Sequence, residues 1–109
     1  MNKVTQLFRY ERSMYSVIDD EGYFDPSKEP KVEIRTFRVV KETAKCYFIQ
    51  LSYNKTKRCL KDAKNTFAYD SKEKAMENYK QRCKRSLSYC RFNLKLAEAF
   101  NKHAQYLQP

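Results

Sequence analysis

From Ser71 to Leu107 the chain runs 37 residues without a glycine or a proline. Nothing in that stretch stops a helix, and its apolar residues repeat with helical spacing. Met76, Cys83, Cys90, Ala97 and Ala104 recur every seven positions, and Tyr79, Leu87, Leu94 and Phe100 fill the gaps. The pattern is a narrow apolar stripe on one helix. It is entered through Asp70-Ser71-Lys72-Glu73, where either Asp70, in a D-x-x-E capping box, or Ser71 is the cap. As one helix, residues 71–107 extend roughly 55 Å at 1.5 Å per residue. A strand of five to eight residues covers only about 17–27 Å. A sheet built from such strands cannot shelter the whole stripe. The helix either folds back near Ser86–Ser88 or packs its distal half on another subunit, and the absence of a breaker favours the second.

The residues before the helix read as the sheet. VTQLFRY (4–10) and MYSVI (14–18) are rich in aromatic and β-branched residues and form two strands or one bent strand. The segment 19–30 collects the single glycine, Gly22, with Pro26, Pro30 and five acids, and is a long loop. In VEIRTFRVVKE (32–42) the alternation changes phase between Ile34 and Phe37, which predicts a bulge near Thr36. TAK (43–45) is a tight connection. CYFIQLSY (46–53) then places Tyr47, Ile49, Leu51 and Tyr53 on one face and Cys46, Phe48, Gln50 and Ser52 on the other. KRCLK (57–61), reached through Asn54-Lys55-Thr56, completes a meander as its edge strand. The expected fold class is α+β: a small antiparallel sheet followed by one long C-terminal helix. It forms a single domain, with a sheet portion over 1–69 and the helix over 70–107.

A chain of 109 residues is expected to form one domain with a modest core. Its net charge of +10 is unevenly spread. Residues 1–42 carry eight Lys/Arg and eight Asp/Glu, whereas 43–109 carry fifteen and five. Such a field concentrates anions near one part of the molecule; phosphates are the first candidate and an acidic protein surface the rival. No apolar run approaches the roughly 18 residues of a membrane span. The opening MNKVTQLFRYERSMY lacks an apolar signal core, so a cytoplasmic location is expected. Cys46, Cys59, Cys83 and Cys90 form no CxxC pair and have only His103 for company, so no zinc site is expected. On a helix Cys83 and Cys90 lie roughly 10 Å apart, too far for a disulfide. All four read as buried or half-buried thiols.

Catalysis has little to rest on. His103 falls in a polar tail segment, Asp19-Asp20-Glu21 reads as a solvated turn, and no phosphate-cradling glycine loop or metalloprotease motif occurs. The expectation is a non-enzymatic protein without cofactor or metal. Phosphate binding must then come from side chains. Lys55, Lys57, Arg58, Lys61 and Lys64 fall within ten positions, opposed only by Asp62. Edge-strand lysines also discourage pairing with other chains, which accounts for some of these. On the helix, Lys84, Arg91, Lys95 and Lys102 share one polar strip, with Arg82 and Arg85 beside it. From Lys80 to Lys95 there are six bases and no acid, whereas a merely solvated face would interleave glutamates. Tyr53, Phe67 and Tyr69 offer aromatic faces, with core packing the rival for the last two. The candidate ligand-binding set is Lys55, Lys57, Arg58, Lys61, Lys64, Arg82, Lys84, Arg85, Arg91, Lys95, Tyr53 and Tyr69.

The run ETAKCYFIQL, then KRCLKDAKNTFAYDSKEKAMENYKQRCKRSL, resembles a group of small, mostly uncharacterised phage-encoded accessory proteins over residues 40–100. In these a hairpin leads through a K-R-x-x-L-K strand into an F-A-Y-x-[ST]-K-E-x-A segment that opens a long basic helix. Lys57, Arg58, Leu60 and Lys61 carry the first motif with one residue, Cys59, where the pattern has two, and Phe67, Ala68, Tyr69, Ser71, Lys72, Glu73 and Ala75 match the second. Asp70 stands where proline is more usual, which changes only the cap. The resemblance implies a counter-defence context, in which such proteins sequester nucleotide signals or block an immune nuclease, often as homo-oligomers with ligand pockets between subunits. The leading expectation is a phosphate-ligand binder of this type, its ligand a nucleotide signal or a nucleic acid. An inhibitor docking on a host enzyme, and a sequence-independent DNA- or RNA-binding protein, are the alternatives.

Overall fold

The computed structural model describes residues 3–109. Four antiparallel strands lie in sequence order: β1 (Gln6–Ser13), β2 (Lys31–Glu42), β3 (Cys46–Ser52) and β4 (Lys55–Leu60). They are followed by one helix, α1 (Lys72–Ala104). This is the α+β meander-plus-helix layout read from the sequence. The chain divides into two compact units, Met1–Tyr79 and Lys80–Pro109, so the division falls inside α1 and not before it. Among the described residues no helix is long and apolar enough to cross a membrane.

In the first unit the core lies on one face of the sheet. Leu7 opposes Phe37, Val39 opposes Ile49, and Tyr47 opposes Cys59 across adjacent strands. Directly opposed residues share a face. Leu7, Phe37, Tyr47, Ile49, Cys59 and Ala68 form the buried cluster, and Phe67 packs on it with its ring 5.4 Å from that of Phe37. The segment after β4 reaches the far edge, where Phe8 and Tyr69 exchange two backbone hydrogen bonds of 2.7 and 2.9 Å. Arg9 fastens it there: its Nη1 donates to the Phe67 carbonyl at 2.8 Å and its guanidinium lies 4.5 Å from the Phe67 ring centre. The outer edge of β1 is thereby paired at Phe8, and β4 is the other edge of the sheet.

Several local expectations are corrected. β1 is one strand, and residues 14–17 form a 3₁₀ turn instead of a second strand. That turn is tied by Ser16, whose hydroxyl donates to the Ser13 carbonyl and accepts from the Lys31 amide. No bulge occurs at Thr36, which pairs regularly with Phe8; the register shift lies between Val39 and Lys41. The apparent phase change arose because Val32 and Ile34 are on the exposed face while Phe37 and Val39 face the core. β4 begins at Lys55, so the turn before it is shorter than read. In the loop, Asp19 accepts hydrogen bonds from the Glu21 and Tyr23 amides, a turn role for the acidic cluster. Gly22 has φ +89, the left-handed conformation that glycine adopts at no steric cost. Ser71 is the helix cap, its Oγ accepting from the Lys74 amide at 3.2 Å, while Asp70 pairs with Lys74 Nζ at 3.0 Å.

In the second unit the helix passes through Ser86–Ser88 without a break, so the fold-back does not occur. Leu87, Cys90, Leu94 and Phe100 are exposed in the single chain. Cys83 and Cys90 are therefore surface thiols, against the expectation of burial; only Cys46 and Cys59 are buried. Their apolar spacing is real, but from Cys83 onward the stripe is exposed among the described residues.

Candidate functional site

The expected binding residues fall into both units, and each set is described on its own. In the first unit β4 sorts its bases by alternation. Lys57 opposes Ile49, and its Nζ lies 5.2 Å from the Phe67 ring centre, so it borders the core face. Lys55 is at the strand start and exposed. Lys61, just past the strand, donates to Glu42 Oε2 at 2.6 Å and lies 4.9 Å from the Tyr47 ring centre. The hydrogen bond to Glu42 holds its ammonium pKa above the usual lysine range. Lys61 is thus already neutralised, and it supports the fold more than an anion site. Lys64 lends its carbonyl to the Tyr69 hydroxyl at 2.8 Å, and that hydroxyl accepts from the Thr66 amide. Tyr69 is buried with both hydroxyl functions engaged, so it leaves the candidate set as a core residue. Tyr53, 91% exposed at the turn, stays available.

Arg58 is different. It opposes Phe48 on the face away from the core, is exposed, and has no acidic partner among the described ion pairs. On its other side Phe48 opposes Lys41, whose Nζ lies 5.4 Å from the ring centre. One row up, Arg38 Nη2 donates to Gln50 Oε1 at 3.0 Å. Arg38 and Lys41 were missed because the first 42 residues are neutral in sum. Alternation alone puts Lys41 in phase with Glu33 and Arg38 with Glu42; the register shift between Val39 and Lys41 is what gathers the two bases on one face and the acids on the other.

In the second unit, positions 80, 84, 91, 95 and 102 are four or seven apart and form one strip of the helix surface. Lys80, Lys84, Arg91, Lys95 and Lys102 are all exposed along it, and none belongs to an ion pair among the described residues. Arg85 is exposed on another face, and Arg82, half-buried, lies toward the apolar side, so neither extends the strip. The only acid after Glu77 is Glu98, near the distal end of the strip. Among the described residues no group of His, Cys, Asp and Glu is arranged to hold a metal ion. No protein-family model, curated protein or solved structure matches the chain.

Proposed function

We propose that this protein is a non-enzymatic binder of a phosphate-bearing polyanion, held through its basic C-terminal part, and that it serves as a phage-type counter-defence factor. The observation that carries the reading is the helix strip Lys80–Lys84–Arg91–Lys95–Lys102. Like charges at i,i+4 repel and lower helix stability, and here acids stand within reach only at the two ends of the strip, Glu77 before Lys80 and Glu98 between Lys95 and Lys102. An anionic counterpart relieves that cost. From Lys80 to Lys102 the strip runs about 33 Å at 1.5 Å per residue. That length suits the repeated phosphates of a nucleic acid, whereas a single nucleotide engages only a few of its residues. The resemblance to phage accessory proteins supports the counter-defence setting. The exposed stripe of Leu87, Cys90, Leu94 and Phe100 supports pairing with a second copy of the chain.

Fluorescence anisotropy tests the binding. A labelled 20-nucleotide strand and a labelled mononucleotide are titrated with the wild type and with the triple variant Lys84→Glu, Arg91→Glu, Lys95→Glu. The expected result is tighter binding of the polymer, lost by more than tenfold in the variant, as charge-assisted phosphate contacts require. Equal affinity for the two ligands would favour a nucleotide-signal trap. Binding unaffected by the reversal would remove the helix strip from the site.

A further inference from the structure

The sheet partitions its charge by face. Its strands hold three acids, Glu11, Glu33 and Glu42, and the register puts all of them on the core side with Leu7, Phe37 and Tyr47. Two of the three are matched there: Glu11 pairs with Arg9 and Arg35, and Glu42 with Lys61. The opposite face holds Arg12, Arg38, Lys41 and Arg58, all exposed, with no acid on any strand. In its middle lies the half-buried ring of Phe48, directly between Lys41 on β2 and Arg58 on β4. The adjoining row is Arg38, Gln50 and Thr56, with Arg38 held by Gln50. Neighbouring strands are about 4.8 Å apart, and rows two residues apart on one strand are separated by about 7 Å.

We propose that this open face binds unpaired nucleotides, with a base stacked on Phe48 and the flanking phosphates on Arg58, Lys41 and Arg38. The inference rests on the reading of the protein as a polyanion binder, but it uses sheet residues in place of the helix strip and names the ligand as single-stranded nucleic acid. Stacking on an aromatic ring is open to any base and closed to bases inside a duplex, so the platform selects for single strands. Lys41 now lies over the ring, and its flexible stem lets it yield to a base and turn to a phosphate. The Gln50 amide and Thr56 hydroxyl, one row away, present hydrogen-bonding groups to a base edge. Charge complementarity argues against an ordinary sheet-to-sheet contact, because a second copy would bring the same four bases against these.

The test uses the full chain with labelled 15-nucleotide oligo(dT), oligo(U) and a duplex of equal length. Phe48→Leu keeps an apolar side chain but removes the stacking ring. Its single-strand affinity is expected to fall about tenfold while duplex affinity stays within about twofold. The double variant Lys41→Gln, Arg58→Gln alters two exposed side chains and keeps the test valid if Phe48→Leu unfolds. Its single-strand salt slope is expected to shrink by about 1.4, or 0.7 for each lost phosphate contact. Preference for oligo(dT) or for oligo(U) tells whether a DNA-type or an RNA-type single strand is favoured, and either supports the platform. If both variants bind single strands as the wild type does, the platform is wrong while the helix-based reading stands. If the wild type binds neither strand nor duplex, both fail together.

Discussion

Replacing Leu87 and Leu94 with glutamate probes whether the stripe on α1 is an interface between copies of the chain. In one protomer the two leucines are 51% and 59% exposed. Complete burial of a leucine is worth about 1.5–3 kcal/mol, so covering the exposed half of each gains about 0.8–1.6 kcal/mol. Four such side chains in a symmetric dimer contribute roughly 3–6 kcal/mol. That corresponds to a change of about a hundredfold to ten-thousandfold in the dissociation constant, before the cost of desolvating the new carboxylates is added. Within a single protomer the same changes are at exposed positions, where about 0.5 kcal/mol is the usual scale. Sedimentation equilibrium over about 1–100 µM protein, a range that spans common dimer affinities, should show an associated wild type and a variant at protomer mass. Far-UV circular dichroism should report that the sheet persists. A wild type at protomer mass throughout, or a variant that associates as the wild type does, refutes self-association through this stripe.

Three further outcomes are expected. Cys83 and Cys90 should react quickly with a maleimide in dilute protein and slowly where the chain associates, while Cys46 and Cys59 stay unreactive until unfolding; mass spectrometry of the labelled peptides reads this directly. Ile49→Ala, at a side chain that is 0% exposed in the centre of the sheet, should lower stability by about 2–5 kcal/mol in urea unfolding. Lys61→Gln removes the partner of Glu42 and should lower the melting temperature while changing nucleic-acid affinity less than Arg58→Gln does. Because folding raises the Lys61 pKa, its contribution is present at neutral pH and is lost as pH rises through that raised value, above about pH 10.4. Thermal melts in alkaline buffer should therefore show a steeper loss in the wild type than in the variant.

The meander and the helix were legible because their periods differ and because turn residues punctuate only the first part of the chain. The core face of β3 was legible for the same reason: Tyr47, Ile49 and Leu51 alternate without a break. The register of β2 was not. Val32 and Ile34 are as apolar as Phe37 and Val39, and only pairing with β1 reveals that they lie on the exposed face. The site was half legible. A dense run of bases in β4 stood out, but local sequence does not show that Lys61 meets Glu42, 19 residues away, or that the Tyr69 hydroxyl is used inside the fold. Arg38 and Lys41 stayed hidden, since a charge sum averages over both faces of the strand and the shift that brings the two together lies between Val39 and Lys41. The apolar stripe of α1 was legible as a pattern. Its exposure in the single chain was not, because the spacing marks an apolar stripe without naming what covers it.

The most direct measurement of polyanion binding is the salt dependence of wild-type affinity for a labelled 20-nucleotide single strand. Association constants are taken by anisotropy between about 50 and 300 mM salt, a range wide enough to define the linear log–log slope of counterion release. Five phosphate contacts along the strip Lys80–Lys102 correspond to a log–log slope of about −3.5, and engagement of the sheet face makes it steeper. A slope near zero, or no binding at the lowest salt, contradicts the proposed function.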